Sequence, residues 1–171
     1  MVSDTKGSPD RFGYEWGEYS EILPQYEEQF KNWTTLLPKS FWKDQTFLDV
    51  GCGMGRNSYW PLTYGAKKAV SIDVDDRSLE SARINLKPFH NAEVLKISAY
   101  DIPFENEFDM AFSIGVIHHL EHPKLALAKM KKSVKGGGRF LSGFMVMKTA
   151  VGLFIFLILL DVCFFQSCLF L

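Results

Sequence analysis

From Thr46 onward the chain alternates short apolar runs with helical stretches. TFLDV reads as a buried strand, GCGMG as the turn after it, and the following helical stretch runs past Trp60 to Pro61, which ends or kinks it. AVSID is a second strand. The helix DDRSLESARINLK follows, with Asp75 or Asp76 as its N-cap. EVLKIS and FDMAFSIG are the third and fourth strands. In PKLALAKMKKSVK, Pro stands at the first helical position, Leu127, Met130 and Val134 share a face, and Gly136 closes the helix. GRFLSGF is the fifth strand. Repeated βα units with right-handed crossovers imply an α/β fold: a Rossmann-like, open, mostly parallel sheet with helices on both faces.

Ahead of this alternation, residues 1–12 are polar and predicted to fray. Tyr19, Ile22, Tyr26, Phe30 and Trp33 then recur at spacings of three or four, punctuated by Pro24 and Pro38, so a helical flap is expected over 1–40. The core occupies 41–144. Residues 145–171 form an apolar tail whose only charges are Lys148 and Asp161.

Composition adds bounds. The chain has 171 residues, 47% apolar and 23% charged, which suits one domain with a real core. Its 19 basic and 20 acidic residues give no electrostatic reason to expect nucleic acid. Three cysteines, Cys52, Cys163 and Cys168, are too few for a disulfide framework and fit a reducing, cytoplasmic setting. MVSDTKGSPD shows no signal-peptide core.

The chemistry concentrates at D-x-G-x-G-x-G, formed by Asp49, Gly51, Gly53 and Gly55 between a strand and a helix. Glycines there let a ligand approach the backbone, and the helix N-terminus offers unpaired N–H groups. A second acid, Asp73, ends the next strand, placed for two ribose hydroxyls. The rival dinucleotide fingerprint G-x-G-x-x-G needs glycine where Arg56 stands, which argues against a nicotinamide dehydrogenase and for a nucleoside ligand without a pyrophosphate. Asp101 lies in the loop after the third strand, where it could accept from an adenine amino group. Asp109 begins the fourth strand and IGVIHHLEHP ends it.

With these motifs in order, the stretch from Phe12 to Phe144, including FGYEW and LDVGCGMGRNSY, resembles the class I S-adenosylmethionine-dependent methyltransferases of the type 11 group. The resemblance implies S-adenosyl-L-methionine as cofactor. Asp49 and the turn Gly51, Cys52, Gly53, Gly55 would hold its methionine end, and Asp73 its ribose. Val74 would lie beside the adenine, with Asp101 and Ile102 on the other side, and Ile114 and Gly115 would floor the site near the sulfonium. The expected reaction is in-line methyl transfer to a small-molecule acceptor, driven by positioning and needing no nucleophilic triad.

His118-His119-Leu120-Glu121-His122 fits H-x-x-E-H, but Pro123 disfavours helix at His122, and no metal is expected. His118 or His119 is instead the candidate to orient the acceptor or take its proton. Cys52 reads as a small turn residue rather than a nucleophile, and the aromatics of 14–33 as a lid over the cofactor more than plain core.

Two readings of the tail compete. Residues 149–171 could lie in or on a membrane, but Asp161 would cost roughly 2.5–3.5 kcal/mol at a helix centre. Alternatively, FMVMKT read one frame over gives Tyr or His, Gly, a variable residue, Glu, and Asn or Asp, similar to how this family continues. The second fits better: a frameshift near codons 138–144 would leave the C-terminal strands missing or replaced and the fifth strand an exposed edge. The corresponding alternative function is a truncated, catalytically impaired cofactor-binding remnant, membrane-associated through the tail.

Overall fold

The computed structural model describes residues 9–145 and 155–161. Its sheet has six strands in the order β3-β2-β1-β4-β5-β6. They are β1 (Thr46–Val50), β2 (Lys68–Asp73), β3 (Ala92–Lys96), β4 (Phe108–Ile114), β5 (Val134–Met145) and β6 (Ile155–Asp161). The first five are parallel, and β6 runs antiparallel along β5, Arg139 opposite Asp161 and Met145 opposite Ile155. The helices are α1 (Pro9–Glu18), α2 (Gln25–Trp33), α3 (Arg56–Thr63), α4 (Asp76–Leu86) and α5 (Pro123–Ser133), with 3-10 turns at Lys39–Trp42 and Ile117–His119.

The central strands β1, β2 and β4 are largely buried, which explains their near-continuous apolar runs, whereas β3 at the sheet edge has no fully buried residue. In β1, Leu48 and Val50 pack with Val70, Ile117 and Met130, while Phe47, one residue away, joins Phe30, Trp42 and Phe112 on the other face. Phe47 stacks on Phe112 at 5.5 Å, and Trp42 meets Phe112 edge-on at 5.7 Å. Strand order reverses between β1 and β4, so the carboxyl ends of these two strands border the crevice where open α/β sheets bind ligands.

Several expectations change. The flap is two helices, α1 and α2, parted at 19–24, and helix begins by Pro9, inside the segment expected to fray; residues 1–8 lie outside the described residues. The helix α5 stops at Ser133, not Gly136, and Val134 is already strand, paired with Phe108. The register then jumps to Met110 opposite Arg139, so Lys135–Gly138 form a bulge. Gly138 permits this, since a Cβ there would lie 2.5 Å from Val134 Cγ1. Asp109 is the second residue of β4, not the first. Finally, β5 is not the exposed edge: Ile155–Asp161 of the apolar tail covers it. The membrane reading of 149–171 otherwise falls on residues 149–154 and 162–171, outside the described residues. No described helix is long and apolar enough to cross a membrane.

Candidate functional site

β1 leads into the glycine turn, whose start is pinned to β2: Gly51 N–H and Cys52 N–H both donate to Ile72 O, at 2.8 and 3.0 Å. The turn requires the left-handed region, with φ of 76° at Gly51 and 53° at Gly53. Both glycines also admit a neighbour. A Cβ on Gly51 would lie 2.5 Å from Val116 Cγ2, and one on Gly53 2.9 Å from Trp16 Nε1. Cys52 is buried, packs with Leu79 and Ala82, and has its thiol pushed well up by burial, which suits a turn residue and no nucleophile.

Two acids flank this turn. Asp49 is 1% exposed; Ser58 Oγ donates to its Oδ2 at 2.7 Å, while Oδ1 has no partner. Burial, helped by the charge of Asp73 and opposed by the Ser58 bond and Arg56, pushes Asp49 up to about 7. Asp73 accepts from Gly53 N–H at 2.9 Å, Val74 N–H at 2.7 Å and Asp75 N–H at 3.1 Å. Burial still raises its pKa, because those bonds only partly offset desolvation. Asp75 caps α4 by accepting from Arg77 N–H and Ser78 N–H, which leaves Asp73 free of that duty.

The remaining predicted residues lie outside the turn. Asp101 is exposed in the loop after β3, and Ile102 is buried in the core, 4% exposed. Ile114 ends β4, and Gly115 follows with φ 77°. His118 and His119 lie in the 3-10 turn, ring centroids 3.9 Å apart. Partial burial and the neighbouring His119 lower the His118 pKa. His122 stands apart, its N–H donating to Tyr100 Oη at 3.1 Å; the described residues hold no cluster suited to a metal.

The sequence led to an expected lid from the aromatics of 14–33 without singling out the ring that meets the turn. The indole of Trp16, in α1, lies on Gly53. Ser81 Oγ donates to Trp16 O at 3.0 Å, and Asn85 Nδ2 joins Ser20 O and Met54 O at 2.7 and 2.9 Å. Phe12 meets His119 at 5.0 Å, and the Gly13 backbone rests against the Asp75 carboxylate. Phe30 is core, while Tyr14 and Tyr19 are exposed. Only the aromatic content of the flap hinted at this, because α1 touches α4 from 65 residues away.

Residues 48–142 match the sequence profile of a family described as a methyltransferase domain. A tRNA U34 carboxymethyltransferase of Cellvibrio japonicus is 31% identical over 136 residues, covering 77% of this chain and 42% of that protein. The protein of the same name from Shewanella putrefaciens is 33% identical over 99 residues, 56% of this chain and 30% of its own length. The chain thus spans less than half the length of these curated relatives. Among solved structures, an S-adenosylmethionine-dependent methyltransferase from Mesorhizobium loti superposes with a TM-score of 0.60 at 21% identity, over 67% of this chain and 52% of that one, a likeness of fold. Relatives named for tRNA overturn the expectation of a small-molecule acceptor and no nucleic acid. The exclusion of nucleic acid rested on net charge, an average that says nothing about where cations cluster, taken over a chain spanning only part of its relatives, and the small-molecule acceptor rested on the resemblance to the type 11 group.

Proposed function

The chain belongs to the class I S-adenosylmethionine-dependent methyltransferases, and we propose that it uses this cofactor to alkylate an RNA acceptor, a tRNA base being the first candidate. The cofactor, when bound, supplies a carbon activated by positive sulfur for in-line displacement. The chain's own part is to bind, orient and exclude water. The observation that carries the reading is the pairing of acids with the glycine turn. Asp73 bonds Gly53 N–H, while Asp49 keeps a buried oxygen without a donor. An unmatched buried acceptor is costly, and a ligand ammonium would relieve it.

In this reading Asp49 and the turn from Gly51 to Gly55 take the methionine end and Asp73 the ribose hydroxyls. Val74 and Asp101 flank the adenine. Ile102 is buried in the core, which leaves its backbone to meet a ligand there. Ile114 and Gly115 floor the site, and His118 or His119 orients the acceptor or takes its proton. The division into a flap at 1–40, a cofactor core at 41–144 and a tail at 145–171, and a cytoplasmic location, belong to the same proposal.

The test is calorimetric titration with S-adenosylhomocysteine, followed by label transfer from S-adenosylmethionine or its carboxymethyl analogue to bulk tRNA. Micromolar binding that Asp73→Ala weakens roughly 100-fold is expected, the loss of two hydrogen bonds to a charged group. Label in tRNA that His118→Gln reduces at unchanged cofactor affinity supports the acceptor reading. Binding with no transfer to any tRNA would sink it.

A further inference from the structure

Arg56 entered the sequence reading only as the residue that breaks a dinucleotide fingerprint. In the structure it is the first residue of α3, immediately after the turn. Its guanidinium lies 4.8 Å from the ring centroid of Trp16, 5.1 Å from Trp33 and 5.2 Å from Tyr26, all rings of α1 and α2. The rings hold it by cation–π attraction, which leaves the N–H edges to be satisfied elsewhere. Among the described residues no carboxylate pairs with Arg56, whereas Lys135, Arg77 and Lys96 each have an acid within 3 Å.

Asp49 lies close enough for the two charges to act on each other, yet the two form no ion pair. The turn is therefore bracketed by a buried carboxylate with an orphaned oxygen and a partly desolvated guanidinium that has no carboxylate partner among the described residues. A desolvated, planar cation fixed by packing is built for a bidentate carboxylate.

We propose that Arg56 is the receptor for a carboxylate of the cofactor, held in readiness by the Trp16–Tyr26–Trp33 cage. The proposal rests on the cofactor reading above. The carboxylate has two possible sources, the amino-acid end or a carboxymethyl group on the transferring sulfur.

Three ligands separate the cases, titrated calorimetrically into the full chain and its Arg56→Gln and Arg56→Lys variants. S-Adenosylhomocysteine carries the amino-acid end, 5′-methylthioadenosine lacks it, and the S-carboxymethyl sulfonium analogue carries both carboxylates. Arg56→Gln is expected to weaken a carboxylate-bearing ligand roughly 10- to 100-fold and 5′-methylthioadenosine less than twofold. Arg56→Lys recovers part of the loss. A loss confined to the carboxymethyl analogue assigns the carboxylate to the transferred group, and a loss shared with S-adenosylhomocysteine assigns it to the amino-acid end. Equal weakening of all three ligands overturns the proposal and makes Arg56 a clamp for the flap. Failure of the wild-type chain to bind any of them overturns the cofactor reading, and this proposal with it.

Discussion

Asp49 and Asp109 stand near opposite ends of neighbouring parallel strands, and they are solved in opposite ways. Asp109 has every oxygen matched: Thr46 N–H and Oγ1 donate to Oδ2 at 2.8 and 2.7 Å, and Lys135 Nζ to Oδ1 at 2.8 Å. Burial pushes Asp109 up, but Lys135 and Thr46 outweigh it and the pKa falls below the ordinary value. Asp49 is deeper, has one donor, keeps an orphaned oxygen, and is pushed up to about 7. The cleft of about 340 Å³ beside Asp109, lined by Phe41, Lys135 and Arg139 among others, is therefore no rival site: Lys135 there already holds its counter-ion, and Arg139 lies over Phe41. An acid whose partners are complete reads as structural, and an acid left incomplete in a crevice reads as waiting for a ligand.

The contrast can be broken in order of size. Asp49 binds a proton more tightly folded than unfolded, so its contribution is fully present below pH 4 and is lost as pH rises toward 7. That loss is on the order of 4 kcal/mol. Asp49→Asn should remove this slope, visible as urea stability that is flatter than wild type between pH 4 and 7. An identical slope in both proteins would show that Asp49 is ionised and partnered after all.

Gly51→Ala comes next. With φ of 76° and a Cβ 2.5 Å from Val116, it should lose about 1–3 kcal/mol by thermal or urea unfolding. Val116→Ala in the same chain should restore the steric part and leave the backbone part. Asp109→Ala should cost about 1–2 kcal/mol through Thr46 while leaving affinity for S-adenosylhomocysteine unchanged. Its pH dependence has the opposite sign to that of Asp49: stabilisation present above pH 4 and lost as pH falls through the lowered pKa. Smallest is Lys135→Met. Lys135 is half exposed, so the variant should lose at most about 1 kcal/mol, and the loss should shrink in high salt.

Local chemistry made most of the sheet legible. The apolar runs of β1, β2 and β4 marked strands that are largely buried, and an acid at 75 or 76 announced the start of α4, where the Asp75 carboxylate reaches the first free N–H groups of the helix. The glycine turn and Asp73 were legible for the same reason, since backbone at positive φ and an acid at a strand end are written in neighbouring residues. Where a tertiary contact competed with a local one, the reading slipped. Gly136 looked like a helix stop, but pairing of Val134 with Phe108 ended α5 earlier and turned the glycines into a bulge. The apolar tail looked foreign to the fold, yet its middle residues supply the strand that covers β5.

The α/β alternation, the acid-flanked turn and the family could be read from the residues in order, because each depends on neighbours close together in the chain. Only the tertiary structure decided that Trp16 lies on Gly53, that three rings cage Arg56, and that Asp49 keeps an oxygen without a donor. Each of these is a meeting of side chains from separate elements, and whether a buried charge is paired or orphaned depends on what packing brings beside it.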